Sequence, residues 1–283
     1  MYRPLNIILA VQRFTDEQIA SVRAALLPVL SLPDAPTFHL ENLDNSIAAD
    51  ARTELLNLGL SAAHGQYVAF LDYDDVLYPE AYGILVNRLR TTAAAIAFAS
   101  VRPVKVDVMS QFICSVGLMA PFCGKDLKDL FRANFCPIHS YLIDRSIVAP
   151  QTLYFDTRLA WEEDYDLLLR ICAAYPSDFG ALGTMIGDYY HKSDGSNTVA
   201  LSTGLSSERT KEYEHVSALI EAHRRSTYLS PSVKRQLRFS EDAPSMSIRE
   251  ALAALAHKKI FFFFKFAWDV FAVRVFRKRK TRV

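Results

Sequence analysis

The chain has 283 residues, 51% of them apolar, 22% charged and 12% aromatic, with 32 Lys and Arg against 31 Asp and Glu. This is a globular composition, sufficient for one large α/β domain or one domain with an appendage, and a net charge of +1 argues against a general nucleic-acid binder. The charge is uneven: residues 257–283 hold nine Lys and Arg against Asp269 alone (+8), and subtracting these from the totals leaves 23 basic and 30 acidic residues before them (−7).

Residues 5–11, LNIILAV, predict a buried strand. TDEQIASVRAALLPVL then predicts a helix with a Thr/Asp cap, broken by Pro28 and Pro33. TFHLENLD predicts a short second strand, and ADARTELLNLGLSAAHG a helix with Leu55, Leu56 and Leu60 on its apolar face. QYVAFLD predicts a third strand. This alternation implies right-handed βαβ units and a mainly parallel sheet, whose ligands collect at the carboxyl ends of the strands. PEAYGILVNRLRTT predicts a helix begun by Pro79, and AAIAFASV another buried strand. Residues 105–135 predict mixed strand and loop. SYLIDRSIV predicts a strand, and FDTRLAWEEDYDLLLRICAAYP a helix with acids in its first turn and Tyr165, Leu168, Leu169 and Cys172 at helical spacing. GTMIGDYYHKSDGSNTV predicts a strand entering a polar loop, and residues 205–256 a polar helical layer. Cys114, Cys123, Cys136 and Cys172 lack metal-site spacing, so buried thiols in a reducing compartment are expected. The N-terminal stretch lacks the apolar core of a signal peptide, so secretion is not expected.

The third strand ends in Asp72-Tyr73-Asp74-Asp75. Three carboxylates so close repel one another unless a cation sits among them. Carboxylates at a strand's carboxyl end suit a hard divalent cation, Mg²⁺ or Mn²⁺, held through oxygen and shared with a phosphate. The alternative, a turn capping the next helix, accounts for one acid, Asp75. Asp166 and Arg170, four apart, read as a helix pair.

The stretch ARTELLNLGLSAAHGQYVAFLDYDDVLYPEA, followed by NFCPIHSYLIDRSIV, FDTRLAWEEDYDLLLRI and YYHKSDGSNTV, resembles the family-2-like GT-A glycosyltransferases in order and spacing over roughly residues 50–200. The resemblance implies a GT-A, Rossmann-like α/β fold over residues 1–204, a helical extension over 205–256 and a tail over 257–283. It implies a metal-dependent inverting transfer from a nucleotide-sugar donor, a UDP-sugar favoured, to a glycan or lipid-linked saccharide. Asp72, Asp74 and Asp75 match the metal and nucleotide-sugar motif, with Asp74 first as direct ligand, Asp75 and His191 beside it in the metal set, and Asp72 or Asp75 reaching the ribose or a metal-bound water. His191 matches a late histidine that completes the metal site or meets the diphosphate, or is a structural histidine. Arg52 matches a position near the donor nucleotide, or lies on a helix surface. Asp164, in Glu162-Glu163-Asp164, matches the catalytic base. Such a base takes the proton of the attacking acceptor hydroxyl. The first two strands depart from the pattern at LAVQRF and ENLDNS, which leaves the donor base open; Glu41 or Asp44 is placed to meet it.

FLDYDDVL also resembles the nucleophile motif of haloacid-dehalogenase-like phosphatases, with Asp72 as nucleophile, Asp74 as acid/base and Gly187-Asp188 in the later acidic motif, where position 192 is Lys rather than a second acid. A non-catalytic nucleotide-sugar or glycan-binding module on the same fold is the third reading. In the tail, residues 260–276 span about 26 Å as a helix at ~1.5 Å per residue, short of a ~30 Å hydrocarbon core. Its aromatic surface and basic residues suit an interfacial helix on an anionic membrane, and hence a cytoplasmic, peripheral location.

Overall fold

The structure, a computed structural model, describes residues 2–44, 50–109, 112–193 and 207–257, with side chains from 210 onward in the last stretch. The tail helix expected over 260–276 lies outside the described residues. Strands β1 (Asn6–Gln12) and β2 (Thr37–Leu43) run parallel in a two-stranded sheet. Between them, α1 (Asp16–Leu30) starts at a capping box: the Gln18 N–H donates to Thr15 Oγ1 (3.3 Å) and the Thr15 N–H to Gln18 Oε1 (2.9 Å). The helix passes through Pro28, which was expected to break it. So late in a helix, a proline forfeits one backbone bond near the end, and the Ser31 N–H closes the last turn on Leu27 O at 3.0 Å.

Helix α2 (Arg52–Ala62) packs on the β1–β2 sheet and is tied to the loop before the later acidic helix. Asn57 Nδ2 donates to Phe155 O, and the Phe155 N–H donates to Asn57 Oδ1, both at 2.8 Å. The amide thus holds the helix to a segment 98 residues away.

The larger sheet has six strands: β3 (Tyr67–Val68), β4 (Val76–Leu77), β5 (Ile96–Val108), β6 (Ile113–Leu118), β7 (Tyr141–Asp144) and β8 (Ser177–Lys192). They lie in the order β3-β7-β5-β8-β4, with β6 on the outer half of β5. Parallel pairing occurs between β1 and β2 and between β5 and β8, and antiparallel neighbours surround the latter pair. Of the strand expected over QYVAFLD, only Tyr67 and Val68 join a ladder. Phe70 is instead buried edge-on against Phe155, centroids 5.1 Å apart, so its apolar character serves the core.

Helix α3 (Ala81–Thr91) covers one side of the sheet with Leu85, Val86 and Leu89. The other core is built around α5 (Glu163–Ala174), whose Leu167, Leu168, Leu169, Ile171 and Cys172 are all fully buried. Tyr165, Leu168, Leu169 and Cys172 form the face expected from spacing. Around this core lie α4 (Leu127–Arg132), α6 (Ser207–Ser226), α7 (Pro231–Gln236) and a helix over 248–257, contributing Leu130, Ile220, Val233 and Ile248 among others. Asp166 and Arg170 pair at 2.9 Å as their spacing predicts, and His223 of α6 also contacts Asp166. All four cysteines are free. Cys136 and Cys172 are buried, whereas Cys123 is exposed and Cys114 half-buried, against the expectation of burial, because both sit on or beyond the sheet's edge strand. Among the described residues no helix is long and apolar enough to cross a membrane.

Candidate active site

Asp72–Asp75 form a turn between β3 and β4, closed by the Asp75 N–H donating to Asp72 O at 3.1 Å. One carboxylate oxygen from each of Asp72, Asp74 and Asp75 lies within 4.8 Å of the others. An oxygen-only donor set of this size fits a hard divalent cation such as Mg²⁺ or Mn²⁺.

The three acids have different surroundings. Asp75 faces inward: its Oδ1 accepts the Tyr190 N–H at 2.8 Å, and its Oδ2 lies 3.0 Å from Nδ1 of the fully buried His139. The His139 ring stacks on Tyr189 at 6.1 Å, and neither of its nitrogens is aligned for a hydrogen bond. Asp74 faces a cation of the protein's own, with Lys192 Nζ 2.9 Å from its Oδ2. That ammonium also donates to the Tyr73 hydroxyl at 3.0 Å and lies 4.8 Å over the Tyr73 ring. Desolvation works against the Lys192 charge, but Tyr73 and Asp74 more than offset it, and its pKa is raised. Asp72 is reachable by solvent yet hemmed in by protein. Desolvation and then the charge of Asp75 raise its pKa, with Arg52 opposing.

Asp164 approaches from the start of α5. The residue before that helix, Glu162, sits in the left-handed region (φ 58°, ψ 20°), a conformation costing a non-glycine residue about 1 kcal/mol or more. Asp164 Oδ1 accepts the Tyr165 N–H at 2.7 Å and Oδ2 accepts Asn134 Nδ2–H at 3.2 Å. Burial pushes its pKa up to about 6; those two bonds oppose the shift, and the charges of Asp72 and Glu162 add to it. Burial, then Asp164, also pushes the neighbouring Glu163 up. Arg52 Nη1 lies 3.9 Å from Glu163 Oε1, and its charge reaches Asp72 as well. The strand-end acids, Arg52 and the α5 acids therefore feel one another. Tyr189 registers the same crowding: desolvation first, then Asp75, Asp72 and Asp164, push its hydroxyl up to about 12.

His191 is not among the three clustered carboxylates. Its strand neighbours are the ones that engage them, Tyr190 through its N–H and Lys192 through its ammonium, while His191 Nε2 is buried without a hydrogen-bond partner. Asp44 is exposed just past β2, and residues 45–49 lie outside the described residues. Asp188 is held by Arg102 (2.8 and 3.1 Å) and by the Tyr78 hydroxyl (2.7 Å). Three site residues escaped the sequence reading: Asn134, His139 and Lys192. The first two lie in NFCPIHSYLIDRSIV, a stretch singled out as a whole, and the last was read only as an acid missing from another motif.

Residues 52–147 match the family model described as Glycosyl transferase family 2. Over 221 residues the chain is 28% identical to the Succinoglycan biosynthesis protein ExoO of Rhizobium meliloti (strain 1021), covering 73% of this chain and 56% of that protein. It thus spans little more than half the length of this curated relative. Among solved structures, S. aureus TarS 1-349 superposes with a TM-score of 0.51 at 13% identity, covering 82% of this chain and 59% of that one. TarS 1-349 in complex with UDP-GlcNAc gives 0.54 at 12% identity, covering 84% and 65%. At these identities the likeness is one of fold.

Proposed function

We propose that this chain is a family-2 GT-A glycosyltransferase, as the family match over residues 52–147 and the likeness to ExoO support, and that it transfers a sugar from a nucleoside-diphosphate donor to a saccharide acceptor in polysaccharide synthesis. The observation that carries this reading is the meeting of Asp72, Asp74 and Asp75 with a carboxylate, Asp164, whose pKa of about 6 suits a general base near neutrality. A UDP-sugar is the favoured donor, since UDP-GlcNAc binds the structurally similar TarS 1-349.

In the proposed inverting reaction, Asp164 removes the acceptor hydroxyl's proton as that oxygen attacks the anomeric carbon. Asn134 and the Tyr165 N–H fix the orientation of its carboxylate. Asp74 remains the first proposed ligand of Mg²⁺ or Mn²⁺; Asp72 is proposed beside it in place of Asp75, whose two oxygens meet the Tyr190 N–H and His139. When bound, such an ion offsets charge gathering on the departing diphosphate. Arg52, 3.3 Å from Asp50 and 3.9 Å from Glu163, is the proposed contact to the donor nucleotide. His191 and Asp44 are proposed donor contacts, at the diphosphate and the base.

The phosphatase reading needs a free acid at Asp188, and that carboxylate is committed to Arg102 and Tyr78. A binding module would not need Asp164. We further propose that the basic aromatic segment 257–283 meets anionic lipid on the cytoplasmic face, bringing the site to a lipid-linked acceptor.

The test is a melting panel of UDP, GDP, CDP and dTDP with and without Mn²⁺. A nucleotide at about 100 times its Kd adds roughly 2.7 kcal/mol, or about 2–4 °C. Stabilisation by one nucleotide, dependent on metal and abolished by Asp74→Ala, is the expected result. No stabilisation at saturation by any of the four overturns the reading.

A further inference from the structure

Asp74 already holds a cation, the Lys192 ammonium at 2.9 Å. The Lys192 side chain is only 12% exposed, and it also contacts the Tyr73 hydroxyl and ring face. Tyr73 itself is 89% exposed, so it forms an outer latch on the cluster. We propose that Lys192 is an internal counter-ion that occupies the cation position at Asp74 until the donor arrives and then passes to the donor's diphosphate, making divalent-cation and donor binding mutually dependent. This inference rests on the transferase reading above.

The physical argument is one of charge balance. A divalent ion on Asp74 and an ammonium on the same carboxylate are close like charges in a partly desolvated site, and they repel. A metal arriving alone must therefore compete with Lys192 for Asp74 and break that ion pair, which costs part of its binding energy. A diphosphate arriving with the metal brings the negative charge that the displaced ammonium needs, and lysine serves phosphate as a flexible point charge. The strand supplies the hinge: two residues before Lys192, the Tyr190 N–H is fixed to Asp75 at 2.8 Å, so only the lysine side chain has to move. By linkage, whatever factor the donor contributes to metal affinity the metal contributes to donor affinity.

The experiment measures free Mn²⁺ by electron paramagnetic resonance on the full chain, with Mn²⁺ alone and with Mn²⁺ plus UDP. Wild type is expected to bind Mn²⁺ weakly alone and more tightly with UDP. Lys192→Met should bind Mn²⁺ alone about fivefold or more tightly than wild type, and should bind UDP less well with Mn²⁺ present, so that most of the coupling is lost. Lys192→Arg should keep the wild-type pattern, because it keeps the charge. Tyr73→Phe, at an exposed side chain, should shift Mn²⁺ affinity in the same direction as Lys192→Met by a smaller factor. A folded Lys192→Met that binds Mn²⁺ alone no more tightly than wild type overturns the proposal; if that variant does not fold, an unchanged Mn²⁺ affinity in Tyr73→Phe overturns it. Where wild type binds Mn²⁺ and UDP, Asp74→Ala loses the Mn²⁺ and Lys192→Met changes nothing, the counter-ion role alone falls. Where wild type binds neither, the transferase reading falls and takes the counter-ion with it.

Discussion

Asp164 is held in a place that favours its neutral form, with a pKa raised from the usual carboxylate range to about 6. For an acid with a raised folded pKa, stability falls as pH rises through the unfolded value, and the loss is complete above the folded one. Asp164→Asn is therefore expected to be more stable than wild type by about 3 kcal/mol at pH 7.5 and no more stable at pH 4, as read by chemical denaturation. The same variant should keep metal-dependent nucleotide binding and lose turnover by about a hundredfold or more. In wild type, log kcat/KM should fall with unit slope below about pH 6, because only the ionised carboxylate accepts the proton. Asp74 was legible because three acids after an apolar strand are more than a turn needs, whereas Asp164, in a helix first turn where acids are common, was legible only through its match to a family motif. Lys192, Asn134 and His139 were not, since their chemistry depends on what folds against them. A lysine near a strand end looks the same in sequence whether it meets water or Asp74.

At the scale of elements, the helix that carries the proposed base, α5, is also deeply buried, packed by α4, α6 and α7. Leu168→Ala should cost about 2–5 kcal/mol, through lost burial and the cavity left behind. Asn57 does comparable work with hydrogen bonds. Asn57→Ala removes both bonds to Phe155 and leaves two inward backbone groups unpaired, so a loss of about 1–3 kcal/mol is expected, measured by urea denaturation. Nucleotide affinity well below the melting temperature should hardly change. The helices were legible from apolar spacing and caps, as with Thr15 and Gln18. The pairing of the large sheet was less so: alternation of strands and helices points to parallel pairing, as between β1 and β2, whereas the antiparallel members β4, β6 and β7 are short or lie in the ambiguous 105–135 stretch.

For the whole molecule, the excess of acids before residue 257 and the +8 segment after it make opposite demands on an anionic surface. The full chain should co-sediment with vesicles containing anionic lipid, less so at high salt, and removal of residues 258–283 should abolish this while sparing the Mn²⁺-dependent response to nucleotide. The GT-A assignment was legible from four ordered motifs, none of which suffices alone; the donor base was not, because the first two strands lack the usual endings. Strand β8 adds a consequence for engineering. Along a few residues it fastens Asp188 to Arg102, lends the Tyr190 N–H to Asp75 and delivers Lys192 to Asp74, linking points far apart in the chain. A graft of residues 72–75 from a relative with a different donor would arrive without its counterparts and strand both the imported acids and the resident lysine. The smallest exchangeable cassette is thus discontinuous, residues 72–78 together with 186–193, and chimeras that cut between them should fold while losing the site.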